Sequence, residues 1–218
     1  MKLAMRKLSS VLSVFLLFAP PLARAQDVEL LPPPPLDPVK VRSVMEKAVN
    51  GFIRPGYDHF RGAAERLEGS MKALCEAPSP VTETAAKAAF ADTVSSWSTI
   101  EIVRVGPVIE KNRFERVLYY PDKKGLGLKQ VQRYLAEKDE SVTTADGLKG
   151  KSVAAQGLGA LEFVLYGTGA EELLDKKGDF RCRFGAAIAG NIANVATELS
   201  DSWNAPYGAQ KNWTQPGP

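Results

Sequence analysis

A single carboxylate interrupts an apolar run in the last third of the chain. Glu162 lies within the segment QGLGALEFVLYGTG, residues 156–169, where most of its sequence neighbours are leucine, phenylalanine, valine or tyrosine. An ionised carboxylate that is buried without a partner costs several kcal/mol. A buried Glu162 must therefore be ion-paired, protonated or bound to a cation, and this makes it the first candidate for chemistry.

Two kinds of partner are available to Glu162. Arg104 can form a bidentate structural ion pair with it, and we favour this interpretation because buried carboxylates are commonly ion-paired. Alternatively, Glu162 joins Glu101, Asp122 and His59 in a carboxylate-rich site for iron or another divalent cation. His59 is the only histidine in the chain, which excludes a multi-histidine zinc site within one chain. The zinc-peptidase pattern His-Glu-x-x-His is absent.

The N-terminal 25 residues predict a signal peptide. They combine a basic start, an apolar run over 11–18 and a small-x-small cleavage site at 23–25. The apolar run is too short to span a membrane, and no cysteine lies near the cleavage site for lipid attachment. We therefore expect a periplasmic protein with no transmembrane segment in its mature chain.

Export also changes the charge of the chain. Four positive charges leave with residues 1–25, which lowers the formal net charge from +3 to −1. The mature chain carries no basic stripe with interleaved aromatic residues, so we expect no nucleic-acid partner.

Cys75 and Cys182 are the only two cysteines. An oxidising compartment favours a disulfide between them. Such a bridge would close a loop of roughly 100 residues and contribute up to about 5 kcal/mol. Two buried thiols are the alternative interpretation.

The spacing of apolar residues predicts an all-α fold, a bundle of long helices with irregular connections. Residues 26–38 predict a proline-rich linker. The pairs Asp37-Pro38 and Ser79-Pro80 predict helix starts, because each combines an N-cap residue with a proline at the first helical position. Helices are predicted from Asp37 to a break or kink at Pro55-Gly56, and over 57–74, 80–105, 126–137, 152–166 and 181–203. Within 152–166, Gly157 and Gly159 are expected to permit close packing against a neighbour.

Several segments, taken in order, resemble the imelysin family. They are LCEAPSP, WSTIEIVRVGPVIEKNRFERVLYYPDKKG, GLGALEFVLYG and RCRFGAAIAGNIAN. The resemblance covers most of residues 39–203 and implies that 39–218 is an imelysin-like helical-bundle domain. Members usually carry two helical bundles, and the resemblance implies that this chain corresponds to the first, either as a short form or as a truncated one.

The resemblance also implies a function. Imelysin-like proteins are periplasmic or surface-anchored, are linked to iron or other metal acquisition, and carry a peptidase label. Their signature Gly-x-His-x-x-Glu aligns Gly159 with the histidine and Glu162 with the glutamate, and Asp122 matches their aromatic-Pro-Asp turn. Without the histidine, we expect a non-catalytic binding protein for a metal ion, a metal chelate or an envelope protein. An imelysin-type metallopeptidase with Glu162 in its active site is the alternative.

Overall fold

Helices form almost all of the regular structure in a computed structural model that describes residues 35–175 and 178–215. They are α1 (Pro38–Ala48), α2 (Arg54–Glu76), α3 (Pro80–Ile100), α4 (Arg113–Val117), α5 (Leu126–Glu137), α6 (Ala145–Lys149), α7 (Leu158–Tyr166), α8 (Asp179–Asn204) and α9 (Ala209–Thr214). Within those described ranges there is no strand, which confirms the all-α prediction. The predicted signal peptide 1–25 and most of the linker 26–38 lie outside the described residues.

Two helices begin at the predicted cap-and-proline pairs. The Asp37 carboxylate accepts the Val39 backbone N–H at 2.9 Å, with Pro38 in the first helical position. Ser79 and Thr82 form a reciprocal capping box at the start of α3. In both cases a side-chain oxygen satisfies backbone donors that have no partner inside the helix.

The chain passes from α1 to α2 without leaving helical geometry. A π-helical turn, Val49–Ile53, joins the two helices, and Pro55 lies in the first turn of α2. Proline has no N–H, and in a regular α-helix its ring clashes with the carbonyl four residues earlier, so Pro55 disfavours α-helical geometry in the turn before it. The predicted break is therefore replaced by one wider turn.

α2, α3 and α8 enclose the core. From Leu36 onward the described chain forms one compact unit, in which α2 packs against both α3 and α8. Phe60 of α2 contacts Trp97 of α3, with ring centroids 5.2 Å apart. The disulfide Cys75–Cys182, with Cα atoms 5.5 Å apart, ties the end of α2 to the start of α8, so the favoured interpretation of the cysteines is confirmed.

Two helix boundaries differ from the prediction, and one helix is additional. α3 ends at Ile100 rather than 105, and the chain turns toward Gly106, which has a φ of +66°. α7 begins only at Leu158, after a short 3-10 segment, Val153–Ala155. The tail forms α9, which the sequence did not indicate, and Trp213 packs there against Trp203 with centroids 6.2 Å apart.

Among the described residues, no helix combines the length and apolarity needed to cross a bilayer.

Candidate functional site

α7 holds Glu162 on its solvent side. Leu161, Val164 and Leu165 are fully buried, whereas Glu162 is exposed, as are Gly159 one turn before it and Tyr166 one turn after it. Successive residues of a helix point about 100° apart, so the apolar sequence neighbours of Glu162 face away from it. The expectation of a buried Glu162 is therefore wrong.

Glu101 lies beside Glu162 in one pocket. Glu101 is the half-buried C-cap residue that follows Ile100 at the end of α3. It lines a cavity of ≈ 200 Å³ together with Glu162. We call this cavity the acidic pocket, and its remaining lining residues are Phe90, Val94, Trp97, Ser98, Leu118, Leu158 and Gly159. No cation of the described residues forms an ion pair with either carboxylate.

Trp97 supplies the floor of the acidic pocket. Its side chain is 1% exposed, and its ring lies 5.4 Å from the Phe114 ring, centroid to centroid. The buried indole Nε1 has no hydrogen-bond acceptor within the described part of the chain. A buried donor without an acceptor costs about 1–3 kcal/mol. Trp97 therefore retains an unused N–H that is shielded from solvent.

Arg104 does not pair with Glu162, contrary to the favoured interpretation. Its exposed guanidinium lies 4.5 Å from the centre of the Phe114 ring, and no ion pair joins it to Glu162 within residues 35–175 and 178–215. Because α3 ends at Ile100, Arg104 no longer follows the helical face that carries Trp97. It lines a second cavity instead.

We call this second cavity, of ≈ 410 Å³, the aromatic pocket. Its lining residues are Arg104, Ile109, Phe114, Glu115, Leu118, Tyr119, Tyr120 and Pro121. Leu118 also lines the acidic pocket, so the two cavities share this residue.

Asp122 and His59 lie outside both pockets. The Asp122 carboxylate accepts the backbone N–H groups of Leu126 and Gly127 at 2.7 and 2.9 Å, and so it caps the start of α5. His59 is an exposed residue of α2. The structure thus brings together only two of the four predicted ligands. Across the described ranges, no group of three or more histidine, cysteine, aspartate or glutamate side chains is arranged to hold a metal ion.

A buried polar network, which the sequence analysis missed, fixes the wall beside Leu118. Arg113 of α4 is 5% exposed. Its Nε donates to the Glu198 carboxylate of α8 at 2.8 Å, and its Nη1 donates to the Pro107 carbonyl, also at 2.8 Å. Arg116 donates to the Asn191 side-chain oxygen at 2.7 Å, and burial lowers the pKa of Arg116, while Glu198 opposes that shift. In the sequence, Asn191 is a polar residue among the apolar residues of α8, and it could have indicated this network.

Arg181 fixes the opposite end of α7. Its buried guanidinium donates to the carbonyl oxygens of Phe163, Val164 and Thr168, each at 2.9 Å. Burial lowers the pKa of Arg181. The Phe163 carbonyl also accepts the Gly167 backbone N–H, whereas the Val164 carbonyl belongs to the last helical turn, whose carbonyls lack partners inside the helix. Arg181 therefore sets where α7 ends and how it presents Glu162.

The family model described as Imelysin, which carries a peptidase label, matches residues 53–217. A solved structure of an imelysin-like protein from Psychrobacter arcticum 273-4 is similar, with a TM-score of 0.68 at 18% identity. The match covers 82% of this chain and 52% of that one, so this chain spans about half the length of that relative. At this identity the likeness shows the fold alone. No curated protein matches the chain.

Proposed function

The chain belongs to the imelysin family, and from this premise we propose that it is a periplasmic, non-catalytic binding protein linked to metal acquisition. Its cargo is a metal ion, iron or another divalent cation, or a metal chelate, held at the acidic pocket. The periplasmic location rests on the signal-peptide pattern of residues 1–25.

The shared position of Glu101 and Glu162 carries this proposal. Both carboxylates line one cavity whose other walls are largely apolar. Apolar walls reduce the screening of charge by water and so strengthen the attraction of the two carboxylates for a cation. Two carboxylates suffice for a metal ion that brings further ligands, because such ions are often held by one or two carboxylates and retain water. A hydrated ion or a chelate fits this donor set better than a naked ion.

The donor set also favours binding over catalysis. Gly159 stands at the signature histidine position and supplies no ligand, so Glu162 has no imidazole partner one turn away. The metallopeptidase alternative is supported by the family label alone. In such a metallopeptidase, Glu162 would serve as the general base or as a metal ligand.

Calorimetric titration of the purified chain with Mn²⁺ and with ferric citrate tests the proposal. We expect saturable binding of at least one of them. Each of the variants Glu101→Gln and Glu162→Gln should weaken it about tenfold, because each removes one charged ligand. Glu137→Gln, which changes an exposed glutamate of α5 outside both pockets, should bind like the parent chain.

Two results would contradict this function. Binding that is unchanged in the double variant would place the metal elsewhere. Chelator-sensitive cleavage of a denatured protein substrate that is lost in Glu162→Gln would favour the metallopeptidase.

A further inference from the structure

We infer that the aromatic pocket is a carboxylate-binding site in which Arg104 recognises the anion. The ligand class is an organic acid with an aromatic or apolar body. This inference stands on Arg104 and its surroundings and is independent of metal binding at the acidic pocket.

The geometry of Arg104 is the main observation. Its guanidinium is exposed and stacks on Phe114 at 4.5 Å from the ring centre. It has no ion pair or hydrogen bond with any described residue, whereas Arg113 nearby is paired with Glu198. Stacking on a ring restrains the plane of a guanidinium and leaves its N–H edges available. A planar fork of donors matches a carboxylate, which it can bind through two parallel hydrogen bonds.

The remaining walls suit the body of such an acid. Tyr120 is 79% exposed and Ile109 is 63% exposed, and Tyr119 and Pro121 complete the apolar lining. The volume of ≈ 410 Å³ falls within the range of pockets that hold small molecules. The pocket thus exposes large apolar side chains to water around one unpaired cation. This arrangement favours a ligand that covers the apolar side chains and supplies the opposite charge.

Glu115 is the one anionic residue of the aromatic pocket. It forms no ion pair with Arg104 among the described residues, and a like charge near the ligand weakens carboxylate binding. Removal of this charge should therefore strengthen binding, a response opposite to that of Arg104 variants.

The test compares benzoate with benzamide, its neutral counterpart of the same shape, by calorimetry on the full chain. We expect benzamide to bind at least about tenfold more weakly, because hydrogen bonds to a charged group are the stronger ones. Arg104→Gln should abolish this difference, and Arg104→Lys should retain only part of it. Glu115→Gln should strengthen benzoate binding.

Arg133→Gln is the matched control. Arg133 is also exposed and also stacks on a ring, that of Tyr134 at 5.3 Å, but it lies outside both pockets. The Arg133→Gln variant should bind benzoate as tightly as the parent chain does.

A second ligand pair separates two sources of the carboxylate. A tripeptide ending in phenylalanine is compared with its C-terminally amidated form. If Arg104-dependent discrimination appears only with the peptides, the site accepts a peptide terminus; if it appears with benzoate, it accepts free organic acids. Equal affinity for acid and amide in both pairs, or discrimination that survives Arg104→Gln, would overturn the inference.

Discussion

Gly159 and Glu162 stand three residues apart on the exposed side of α7. A Cβ added at Gly159 would meet no atom within 4 Å, so a larger side chain fits there. Gly159→His would place an imidazole one turn before Glu162, where the two can share one cation. We expect this variant to bind Zn²⁺ or Ni²⁺ at least about tenfold more tightly than the parent chain, as measured by calorimetry.

Two variants control for this gain. Gly159→Ala should not increase affinity, because it adds no ligand. Gly159→His combined with Glu162→Gln should lose most of the gain. A gain that persists without the carboxylate would mean that the new imidazole binds metal with some other group.

Arg181 should be among the most sensitive positions for stability. Arg181→Leu would leave the carbonyl oxygens of Val164 and Thr168 without their donor, whereas that of Phe163 would keep the Gly167 N–H. We expect the free energy of unfolding to fall by about 2 kcal/mol or more, because two acceptors lose their donor and each buried acceptor left unsatisfied costs about 1–3 kcal/mol. Urea denaturation measures this. The exposed-site change Arg133→Leu should stay within about 0.5 kcal/mol.

The side chains of the candidate site were only partly predictable. Glu101 and Glu162, which were predicted as part of a larger ligand set, line one pocket, and their role as metal ligands stays a prediction. Burial of Glu162 was inferred from its sequence neighbours, but in a helix the residues three and four positions away decide the environment. The position of Arg104 depends on where α3 ends, and a helix end is set by tertiary contacts as well as by local sequence.

Two glycines of one motif differ in their packing. A Cβ at Gly157 would lie 2.3 Å from the Val117 carbonyl oxygen and 2.6 Å from that of Arg116, so the segment preceding α7 touches the backbone of α4. At Gly159 the same atom meets open space. The expectation of close packing is thus confirmed for Gly157 and wrong for Gly159.

This contrast gives a paired stability test. Gly157→Ala should destabilise the protein by about 1–3 kcal/mol, as expected for a group forced into a packed site. Gly159→Ala should be neutral or raise stability by up to about 1 kcal/mol, because alanine is the better helix former. Thermal unfolding of both variants measures the difference in stability. Equal effects of the two substitutions would mean that the backbone contact between Gly157 and α4 can shift to accept the added methyl group at no cost.

Helix starts that carry a capping side chain were predicted accurately. Asp37 and Ser79 mark the starts of α1 and α3, because their side chains cap backbone N–H groups only two or three residues away. The early end of α3 has no such local mark. Pro107 disfavours helical geometry at the residue before it, yet the helix stops six residues earlier, where the chain turns back to seat Val108 in the core.

The bundle as a whole depends on the Cys75–Cys182 bridge. The disulfide joins residues 107 apart in sequence and so restricts the unfolded chain strongly. We expect the Cys75→Ala and Cys182→Ala double variant to lose about 2–5 kcal/mol of unfolding free energy. Denaturation of the parent chain with and without a reductant should give the same difference. If the reductant lowers the stability of the double variant as well, the effect does not come from this bridge.

The same bridge has a topological consequence. Glu101, Arg104 and Glu162 all lie on the covalent ring that the bridge closes between Cys75 and Cys182. The exposed turn at Lys123 and Lys124 is also on this ring and offers a cleavage site to trypsin-like enzymes. A single cut there opens the ring but releases no fragment, so the nicked protein should migrate as one species on a non-reducing gel and as two after reduction. In a compartment rich in proteases, both pockets would survive the cut on one covalently continuous molecule.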